Sequence, residues 1–398
     1  MSEPALNTVA VVLVGDELLI GHTSDTNGPW LGRRLTDRGF RVVSATVAPD
    51  DVHAVVVAVE RGLADARAVL VTGGLGVTSD DVTRTALARV FAGLEPAKLP
   101  NPVGSESGAC FDRGTRVVYA MPGVPAEMRA IVDNQVLPEL VAAAGALAER
   151  AARSLVVVGM PEPQIANLLA PVEADLAGQG GRLAYLPRPA EVEVRIVATL
   201  GNAETVVTTA AVQARELLGD VVAAENQRLE EAIVTALRTR RRTVAVAESL
   251  TGGLVAASLI SVAGASEVIR GAVVAYATDL KADLLDVPAE MLEGDGAVAV
   301  STAQAMAHGV RSRCRADFGV ATTGVAGPDS QEGHPPGTMH LAVASDDAVR
   351  IASFEPYAQH RDRDTVRRIA VVRALDLLRR TVRGLGSGTG ESPPQPTR

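Results

Sequence analysis

The sequence predicts an α/β protein in which two α/β domains with mainly parallel central sheets are joined by a small α+β domain. At both ends of the 398-residue chain, apolar runs of strand length alternate with segments of helix length. Such alternation is typical of a parallel sheet covered by helices on both faces. In the middle, residues 192–200 alternate between apolar and polar side chains, which favours a strand with one solvated face.

The first α/β domain is expected over residues 1–150. Its strands are predicted in four apolar runs, TVAVVLV, FRVVSATV, RAVLVTGG and RVVYAMPG. The segments between these runs have the length of helices, which are predicted at roughly Asn27–Asp37, Asp51–Ala64 and Val82–Phe91.

The small α+β domain is expected over residues 151–224, with helices at Pro163–Leu169 and Ala203–Leu218. The second α/β domain follows at 225–386, where runs such as TVAVA, GAVVAY and MHLAVAS alternate with helical segments. The last of these segments is a long helix at Asp364–Arg383. Residues 387–398 are rich in Gly, Ser and Pro without periodicity, so this tail is predicted to be disordered.

The basic residues are almost all arginine. Lys98 and Lys281 are the only lysines among 38 basic residues, which leaves 36 arginines. A phosphate-binding P-loop needs Lys followed by Ser or Thr, and neither lysine meets that requirement, so Walker-type nucleotide hydrolysis is excluded. Neither lysine lies in a kinase-type strand, which excludes protein kinases as well.

Charge and cysteine content further limit the classes of protein that this sequence can belong to. The net charge is −9 without a long basic run, so we expect no nucleic-acid partner. Cys110 and Cys314 lack the spacing of a zinc site. No apolar run approaches the roughly 18 residues that a membrane helix requires. We therefore expect a cytoplasmic protein that acts on a small molecule, without membrane association.

Three turns of the first domain carry glycines and acids after apolar runs: GDELLIG at 15–21, TGGLGVTSDD at 72–81 and MPGVPAEM at 121–128. Turns at the carboxyl ends of parallel strands gather at one sheet edge, where ligands bind. A glycine-rich backbone followed by a helix N-terminus suits a phosphate. Asp80 and Asp81 would repel that phosphate unless a divalent cation lay between them, so they predict a metal site, with helix capping as the alternative. Asp16 and Glu17 are further candidate oxygen ligands.

A second group of candidate residues centres on Ser249. Ser249 lies between an apolar run and a helix, so its hydroxyl would face unpaired amides that suit an oxyanion, with an N-cap role as the alternative. No histidine spacing supplies a base, and no G-x-S-x-G surrounds it. Lys281 would project from the same sheet edge, where burial would lower its pKa toward the range of a general base. Tyr276 is a candidate for proton relay or substrate contact, and Thr278 is a competing nucleophile.

The three turns of the first domain resemble the motif blocks of the molybdopterin-binding (MoaB/MogA-like) domain, in the form found at the N-terminus of the CinA family of competence/damage-inducible proteins. The resemblance implies ADP-ribose pyrophosphatase-type activity, with a divalent metal near Asp80 and Asp81. The positions that match motif residues and are expected to bind nucleotide are Gly15, Asp16, Glu17, Asn27, Gly73, Gly74, Gly76, Thr78, Pro122, Gly123 and Glu127.

The third domain is similar to the CinA C-terminal domain, because AESLTGG, GAVVAYATDLKADLLDV and TTGVAGPDSQEGHPPGT match its blocks in register. The resemblance implies a nicotinamide mononucleotide deamidase that requires no cofactor, with Ser249 and Lys281 catalytic and Tyr276 at the motif tyrosine. Arg363 and Arg367 match an arginine block; Arg363 is a candidate phosphate ligand, and solvated helix charge is the alternative for both. The expected substrate contacts are Thr251, Gly252, Gly253, Thr323, Gly324, Ala326, Gly327 and Arg363.

Three functional hypotheses remain open at this point. The first is hydrolysis of the nicotinamide mononucleotide carboxamide by the third domain, with a second nucleotide site in the first. The second makes metal-dependent cleavage of ADP-ribose the main activity, and the third is a nucleotide-binding regulatory or assembly protein with degenerate sites. The middle region corresponds to the KH-like linker domain of long family members. A homodimer is expected by analogy, because such two-domain arrangements commonly use a partner to cover exposed sheet faces.

Overall fold

The computed structural model describes residues 4–76, 78, 81–145, 150–199, 201–355 and 362–384. The predicted metal ligand Asp80 and the predicted disordered tail at 387–398 lie outside these residues. Contacts divide the chain into two compact units, Met1–Ala152 with Ala198–Glu204 and Arg153–Val197 with Thr205–Arg398. The boundaries of the three predicted domains stay a prediction. No helix in the described ranges is both long and apolar enough to cross a bilayer.

The first unit is built on a mixed sheet with the strand order β2-β1-β3-β6-β5-β4. Its elements are β1 (Thr8–Val14), α1 (Asp16–Leu19), α2 (Asn27–Asp37), β2 (Arg41–Ala48), α3 (Val52–Asp65), β3 (Ala68–Thr72), α4 (Thr83–Val90), β4 (Ala97–Leu99), β5 (Gly108–Asp112), β6 (Val117–Met121), α5 (Pro125–Ile131), a π-helical turn (Val132–Val136) and α6 (Leu137–Ala144). Strands β2, β1, β3 and β6 run parallel, whereas β5 and β4 are antiparallel additions at one edge. The predicted α/β class is confirmed, and the three predicted helices are found within a residue of their expected ends.

The carboxyl ends of β1, β3 and β6 lie side by side because these strands are parallel neighbours. Gly73, directly after β3, has φ of +105° and passes so close to β1 that a Cβ atom would lie 2.2 Å from the Val14 carbonyl oxygen. A side chain at this position is therefore excluded both by the backbone conformation and by the neighbouring strand. This close approach brings the predicted glycine-rich turn against the end of β1.

The middle segments form a four-stranded sheet in the order β10-β7-β9-β8. Its elements are β7 (Ala151–Val158), α7 (Glu162–Ala177), β8 (Gly181–Arg188), β9 (Glu191–Ala198), α8 (Ala203–Leu218) and β10 (Val222–Glu225). The alternation predicted around residues 192–200 is confirmed in the first part of β9, where Val192, Val194 and Ile196 are buried, whereas Val197 and Ala198 are both buried and end the alternation. Helix α7 is much longer than the predicted Pro163–Leu169, because buried side chains at Ile165, Leu169, Val172 and Leu176 continue its apolar face past Pro171.

The C-terminal segments form a five-stranded sheet in the order β12-β11-β13-β14-β15. Its elements are α9 (Leu229–Arg240), β11 (Val244–Glu248), α10 (Leu254–Ile260), β12 (Ile269–Val274), α11 (Thr278–Leu285), α12 (Ala289–Gly294), α13 (Val300–Cys314), β13 (Phe318–Gly324), β14 (Met339–Ala344), β15 (Val349–Phe354) and α14 (Arg363–Arg383). Strand β11 is parallel to both β12 and β13, whereas β14 and β15 are antiparallel. The carboxyl ends of β12, β11 and β13 therefore share one edge.

The two faces of this sheet are covered differently. Val244 and Val246 of β11 point into a core shared with α9, α10, α14 and the middle strands β7 and β10. Ala245 and Ala247 point to the opposite face, which is rich in alanine and covered by α11 and α13. Small side chains let α13 approach closely: a Cβ atom on Gly309 would lie 1.8 Å from the Leu285 carbonyl oxygen of α11. This contact fixes α11, which carries Lys281, against the helix behind it.

A buried ion pair ties α14 to the middle segments. Arg379 is 1% exposed and donates to the Asp376 carboxylate, from Nη2 at 2.7 Å and from Nε at 2.8 Å. Its Nη2 also donates to the Asp220 carbonyl oxygen at 3.0 Å. The second carboxylate oxygen of Asp376 accepts from Arg380 at 2.8 Å. Each charge in this pair depends on the other, because neither is solvated.

We expect Asp376→Ala to lower the free energy of unfolding by about 3–5 kcal/mol, because it leaves the Arg379 guanidinium buried without a carboxylate. Urea denaturation measures the difference. Asp364→Ala is the matched control, since Asp364 pairs with Arg368 on an exposed part of the same helix, and exposed pairs contribute little. Equal destabilisation by the two substitutions would contradict a special role for the buried pair.

Candidate active site

Ser249 and Lys281 meet at the carboxyl edge of the C-terminal sheet. Ser249 directly follows β11, and Lys281 lies in the first turn of α11, which begins shortly after the parallel strand β12. The Lys281 Nζ atom lies 3.2 Å from Ser249 Oγ and donates to the carbonyl oxygens of Ala275 at 2.9 Å and Tyr276 at 3.5 Å. The structure thus places an amine within hydrogen-bonding distance of a hydroxyl, as a base-activated nucleophile requires.

Both side chains are removed from water. Lys281 is 1% exposed and Ser249 is 9% exposed. Burial lowers the pKa of Lys281, because a charged ammonium is poorly solvated there, whereas the negative charges of Glu332 and Asp279 oppose the shift. The Lys281 amine therefore loses its proton at a lower pH than an ordinary lysine.

A cavity of about 470 Å³ opens beside this pair. The loop that follows β13 forms one wall, and the residues between β12 and α11 form another. Among the predicted substrate contacts, the cavity is lined by Thr323, Gly324, Ala326, Gly327 and Arg363. Its volume falls within the roughly 300–1,000 Å³ that is usual for small-molecule sites.

Tyr276 and Arg363 meet at the mouth of the cavity. The Arg363 guanidinium donates to the Tyr276 hydroxyl at 2.6 Å and to the Gly327 carbonyl oxygen at 2.5 Å. Tyr276 is 59% exposed, and it is the backbone carbonyl of this residue, not its hydroxyl, that contacts Lys281. This geometry favours contact with the substrate over proton relay as the role of Tyr276.

The amides that begin α10 are not open to a ligand, contrary to the prediction for the turn after Ser249. Glu248 is fully buried, and its carboxylate accepts from the amides of Gly253 at 2.9 Å, Val255 at 3.1 Å and Ala256 at 2.8 Å. These donors are among those that a helix start leaves unpaired. Only amides nearer to Ser249 can therefore serve an oxyanion.

Thr251, Gly252 and Gly253 do not line the cavity, and their role as substrate contacts stays a prediction. Thr251 is fully buried, with its Oγ1 atom 2.7 Å from Thr322 Oγ1 on β13. Gly252 and Gly253 have φ of +59° and +96°, a backbone conformation that favours glycine. The three residues shape the turn that carries Ser249.

The competing nucleophile Thr278 does line the cavity. Within the described part of the chain, no hydrogen bond joins its hydroxyl to Lys281, whereas Ser249 Oγ lies 3.2 Å from Nζ. The geometry therefore favours Ser249 as the nucleophile.

At the sheet of the first unit, Asn27 joins two of the predicted turns. Its side-chain amide donates to the Gly123 carbonyl oxygen at 2.8 Å and to Thr72 Oγ1 at 3.3 Å. The Thr72 hydroxyl in turn donates to the Pro122 carbonyl oxygen at 2.9 Å. The turns after β3 and β6 and the start of α2 thus lie together, as the sequence predicts.

Asp81 organises the glycine-rich loop itself. Its carboxylate accepts from the Gly76 amide at 2.8 Å and from the Thr78 amide and hydroxyl at 2.7 and 2.5 Å. The bond from the Thr78 hydroxyl, helped by these two amides and the charge of Arg84, lowers the pKa of Asp81 although burial opposes the shift. Both carboxylate oxygens are engaged by the loop, and no described side chain caps α4, so the capping alternative is wrong for Asp81.

The predicted metal site is only partly described, because Asp80 lies outside the described residues. No group of three or more His, Cys, Asp or Glu side chains in the described ranges is placed to hold a metal ion. Asp16 exchanges hydrogen bonds with Asp50: each backbone amide donates to the other carboxylate, at 2.9 and 3.2 Å. A metal ligand role for Asp80 stays a prediction.

The remaining predicted nucleotide contacts lie around the same edge. Gly15 follows β1, and Glu17 lies exposed on α1. The carbonyl oxygens of Gly73 and Gly74 accept from the Thr83 hydroxyl at 2.7 Å and the Thr83 amide at 3.0 Å, respectively. The Glu127 carboxylate on α5 accepts from the Asn101 side-chain amide at 2.5 Å. Hydrogen bonds within the protein therefore engage several of these groups.

Near Ser249 and Lys281, the sequence patterns assigned no role to Glu248 or Glu332 and identified Arg367 only as part of an arginine block. Glu248 left a signal in the sequence, since it is a charged residue at the end of an otherwise apolar strand. Arg367 is not a solvated charge: its guanidinium donates to the carbonyl oxygens of Leu250 at 3.2 Å and Thr251 at 2.9 Å. Glu332, whose charge acts on Lys281, lies in an irregular loop and gives no periodic signal.

Known protein families and relatives match most of this chain. Residues 226–382 match the model of the CinA C-terminal domain, and residues 10–142 match that of a probable molybdopterin binding domain. A CinA-like protein from Frankia casuarinae is 38% identical over 96% of this chain and 99% of its own length. A CinA-like protein from Anaeromyxobacter dehalogenans is 35% identical over 94% of this chain and 100% of its own. The solved structure of the competence/damage inducible protein CihA from Agrobacterium tumefaciens is 38% identical, with a TM-score of 0.36 over 37% of this chain and 92% of that chain.

We expect a fluorophosphonate probe to label Ser249 faster as the pH rises, because the neutral Lys281 amine must accept the hydroxyl proton. The midpoint of this rise should lie below 10.5, the ordinary lysine pKa, since burial lowers the value here. Mass spectrometry of the intact protein measures the labelling rate. Lys281→Met should abolish the rise, and Lys98→Arg, which changes the other lysine, should preserve it. An unchanged pH profile in Lys281→Met would contradict the assignment of the base.

Proposed function

The chain belongs to the family of CinA-like proteins, and from this premise we propose that its C-terminal α/β region hydrolyses the carboxamide of nicotinamide mononucleotide. The products are nicotinic acid mononucleotide and ammonia. The observation that carries the proposal is the 3.2 Å separation between Lys281 Nζ and Ser249 Oγ beside a cavity of small-molecule size. The family resemblance supplies the choice of substrate.

The proposed reaction forms and breaks one acyl-enzyme ester. The neutral Lys281 amine removes the proton of Ser249 as Oγ attacks the carboxamide carbon. Lys281 then returns that proton to the departing nitrogen, which leaves as ammonia. Water attacks the ester after losing a proton to Lys281, and that proton returns to Ser249 Oγ. No step needs a cofactor.

Arg363 and Tyr276 suit the outer part of this substrate. Both lie at the cavity mouth, where the guanidinium already holds the Tyr276 hydroxyl. An arginine fork matches phosphate geometry, so we place the nucleotide phosphate near Arg363 and the carboxamide at Ser249. This orientation presents the neutral carboxamide group of the pyridinium ring to the buried amine.

We expect Ser249→Ala and Lys281→Arg each to lower the rate of ammonia release from nicotinamide mononucleotide by at least about 100-fold. Arginine keeps the positive charge of Lys281 but cannot act as a base near neutral pH. Release of nicotinic acid mononucleotide, followed by chromatography and mass spectrometry, measures the reaction. Lys98→Arg is the matched control and should turn over as the wild type does. Near-wild-type turnover by Lys281→Arg would refute the mechanism.

For the first unit we propose a separate nucleotide site at the carboxyl edge of its sheet. The observation that favours it is the junction of turns made by Asn27 with Thr72 and Gly123. ADP-ribose is the ligand that the family resemblance implies. Because the predicted metal ligand Asp80 lies outside the described residues, binding is proposed here without any metal-dependent step.

We expect Asn27→Ala to weaken the binding of ADP-ribose at least tenfold, since it separates the turns that form the site. Calorimetry in the Ser249→Ala background, with and without EDTA, measures binding and removes any contribution from Ser249 chemistry. AMP release that EDTA abolishes would restore the metal-dependent pyrophosphatase hypothesis. Unchanged binding in Asn27→Ala would count against the site, and binding without AMP release would favour a sensing role.

A further inference from the structure

The turn between Ser249 and Gly253 is held from two sides by ionisable side chains that do not line the cavity. Glu248 binds the amides that follow the turn, and Arg367 binds two carbonyl oxygens within it. We infer that Glu248 and Arg367 are positioning residues that aim the Leu250 amide at the carbonyl oxygen of the substrate. The inference rests on the proposed acyl transfer at Ser249 and deepens it.

The Leu250 amide is the donor best placed for an oxyanion. Leu250 lines the cavity beside Ser249, whereas Thr251 does not. No hydrogen bond from the Leu250 amide is found within the described part of the chain. An amide directly after the nucleophile is close enough to the attacked carbonyl to stabilise negative charge on its oxygen.

The orientation of this amide is set by the peptide units on either side of Leu250. In a trans peptide the carbonyl and the N–H point in opposite directions. The Ser249 carbonyl oxygen accepts from the Gly252 amide at 3.1 Å, which fixes the unit that contains the Leu250 N–H. The Leu250 carbonyl oxygen accepts from Arg367 Nε at 3.2 Å, which fixes the next unit. Rotation of the Leu250 amide would break one of these bonds.

Arg367 reaches the turn from α14, and the chain conformation leaves space for it. Its Nη2 atom donates to the Thr251 carbonyl oxygen at 2.9 Å, so one planar guanidinium binds two successive carbonyls. A Cβ atom at Gly252 would lie 3.3 Å from Nη2, closer than most side chains approach. The glycine after Thr251 therefore serves the contact with Arg367.

Glu248 fixes the other end of the turn. Its two carboxylate oxygens accept three amides at the start of α10, and a carboxylate offers acceptors in all the required directions. An amide side chain of the same shape has one oxygen and one donor group, and the donor would face a backbone N–H. Glu248→Gln should therefore loosen the turn without changing its volume.

The test compares Arg367→Met, Arg367→Lys and Glu248→Gln with Arg368→Met in the full chain. Arg368 is the next residue on α14 and makes an exposed pair with Asp364, so its substitution removes the same charge without touching the turn. With nicotinamide mononucleotide, Arg367→Met and Glu248→Gln should lower kcat about 10- to 100-fold with KM changed less than about threefold. Arg367→Lys should recover part of the loss, because an ammonium still donates to one carbonyl. Arg368→Met should match the wild type.

A role in substrate binding gives the opposite result. If Arg367 binds the phosphate, Arg367→Met raises KM and leaves kcat unchanged, and that outcome overturns the inference. Wild-type kcat in Arg367→Met overturns it as well. Arg367 is only half-buried, so Arg367→Met is expected to fold and decides the question even if Glu248→Gln does not fold. A thermal melt shows whether each variant folds.

Fluorophosphonate labelling separates this inference from the proposed substrate. The probe reacts with Ser249, and negative charge develops on its oxygen during the reaction, as it does on the carbonyl oxygen of the substrate. The probe contains no nucleotide. A wild-type protein that labels yet leaves nicotinamide mononucleotide intact refutes the proposed substrate alone. Labelling of Arg367→Met should then be slower than that of Arg368→Met by about 10-fold or more, and equal labelling rates overturn the positioning role.

Discussion

The burial of the Lys281 amine is the constraint on which the C-terminal site depends. An ammonium without water is costly unless other groups take its hydrogen bonds. Here the acceptors are Ser249 Oγ and two carbonyl oxygens from the short connection between β12 and α11. Those carbonyls are available because the chain leaves the sheet before α11 begins. The parallel pairing of β11 with β12 then sets the distance between the serine and the amine.

Each α/β region has an acid in or after a parallel strand, Asp81 in the loop after β3 and Glu248 at the end of β11, and both acids accept hydrogen bonds from backbone amides. Asp81 takes the amides of the glycine-rich loop, and Glu248 takes those at the start of α10. A helix start or a glycine-rich turn is an anion site only while its amides are free. In both regions the protein supplies the anion itself. The groups left for a ligand are those that the carboxylate does not reach, such as the Leu250 amide.

Sequence patterns predicted the parallel strands and the two residues of the amine–hydroxyl pair, because each left a local signal. Lys281 was conspicuous in a chain that otherwise uses arginine, and apolar runs mark the parallel strands. The limits of α7 were missed because Pro171 is a helix-breaking signal, whereas a buried apolar stripe extends the helix beyond it. The glycines after Thr251 were assigned to substrate because a motif does not distinguish a turn that binds a ligand from a turn that positions a nucleophile. The two kinds of turn are distinguished by the side chains that bind the backbone of the turn. One of these, Arg367, lies on α14, far along the chain.

Arginine and lysine have different roles in this chain because their side chains differ in chemistry. Arg363, Arg367 and Arg379 each bridge two acceptors that belong to different parts of the chain or to successive residues. A planar guanidinium suits this task because its donors have fixed directions and it stays charged. No contact among the described residues gives Lys98, exposed on β4, a comparable role. The amine of Lys281 also contacts several acceptors, but without its proton it offers a lone pair, and burial favours that form. A guanidinium at the same place would keep the hydrogen bonds and lose the base.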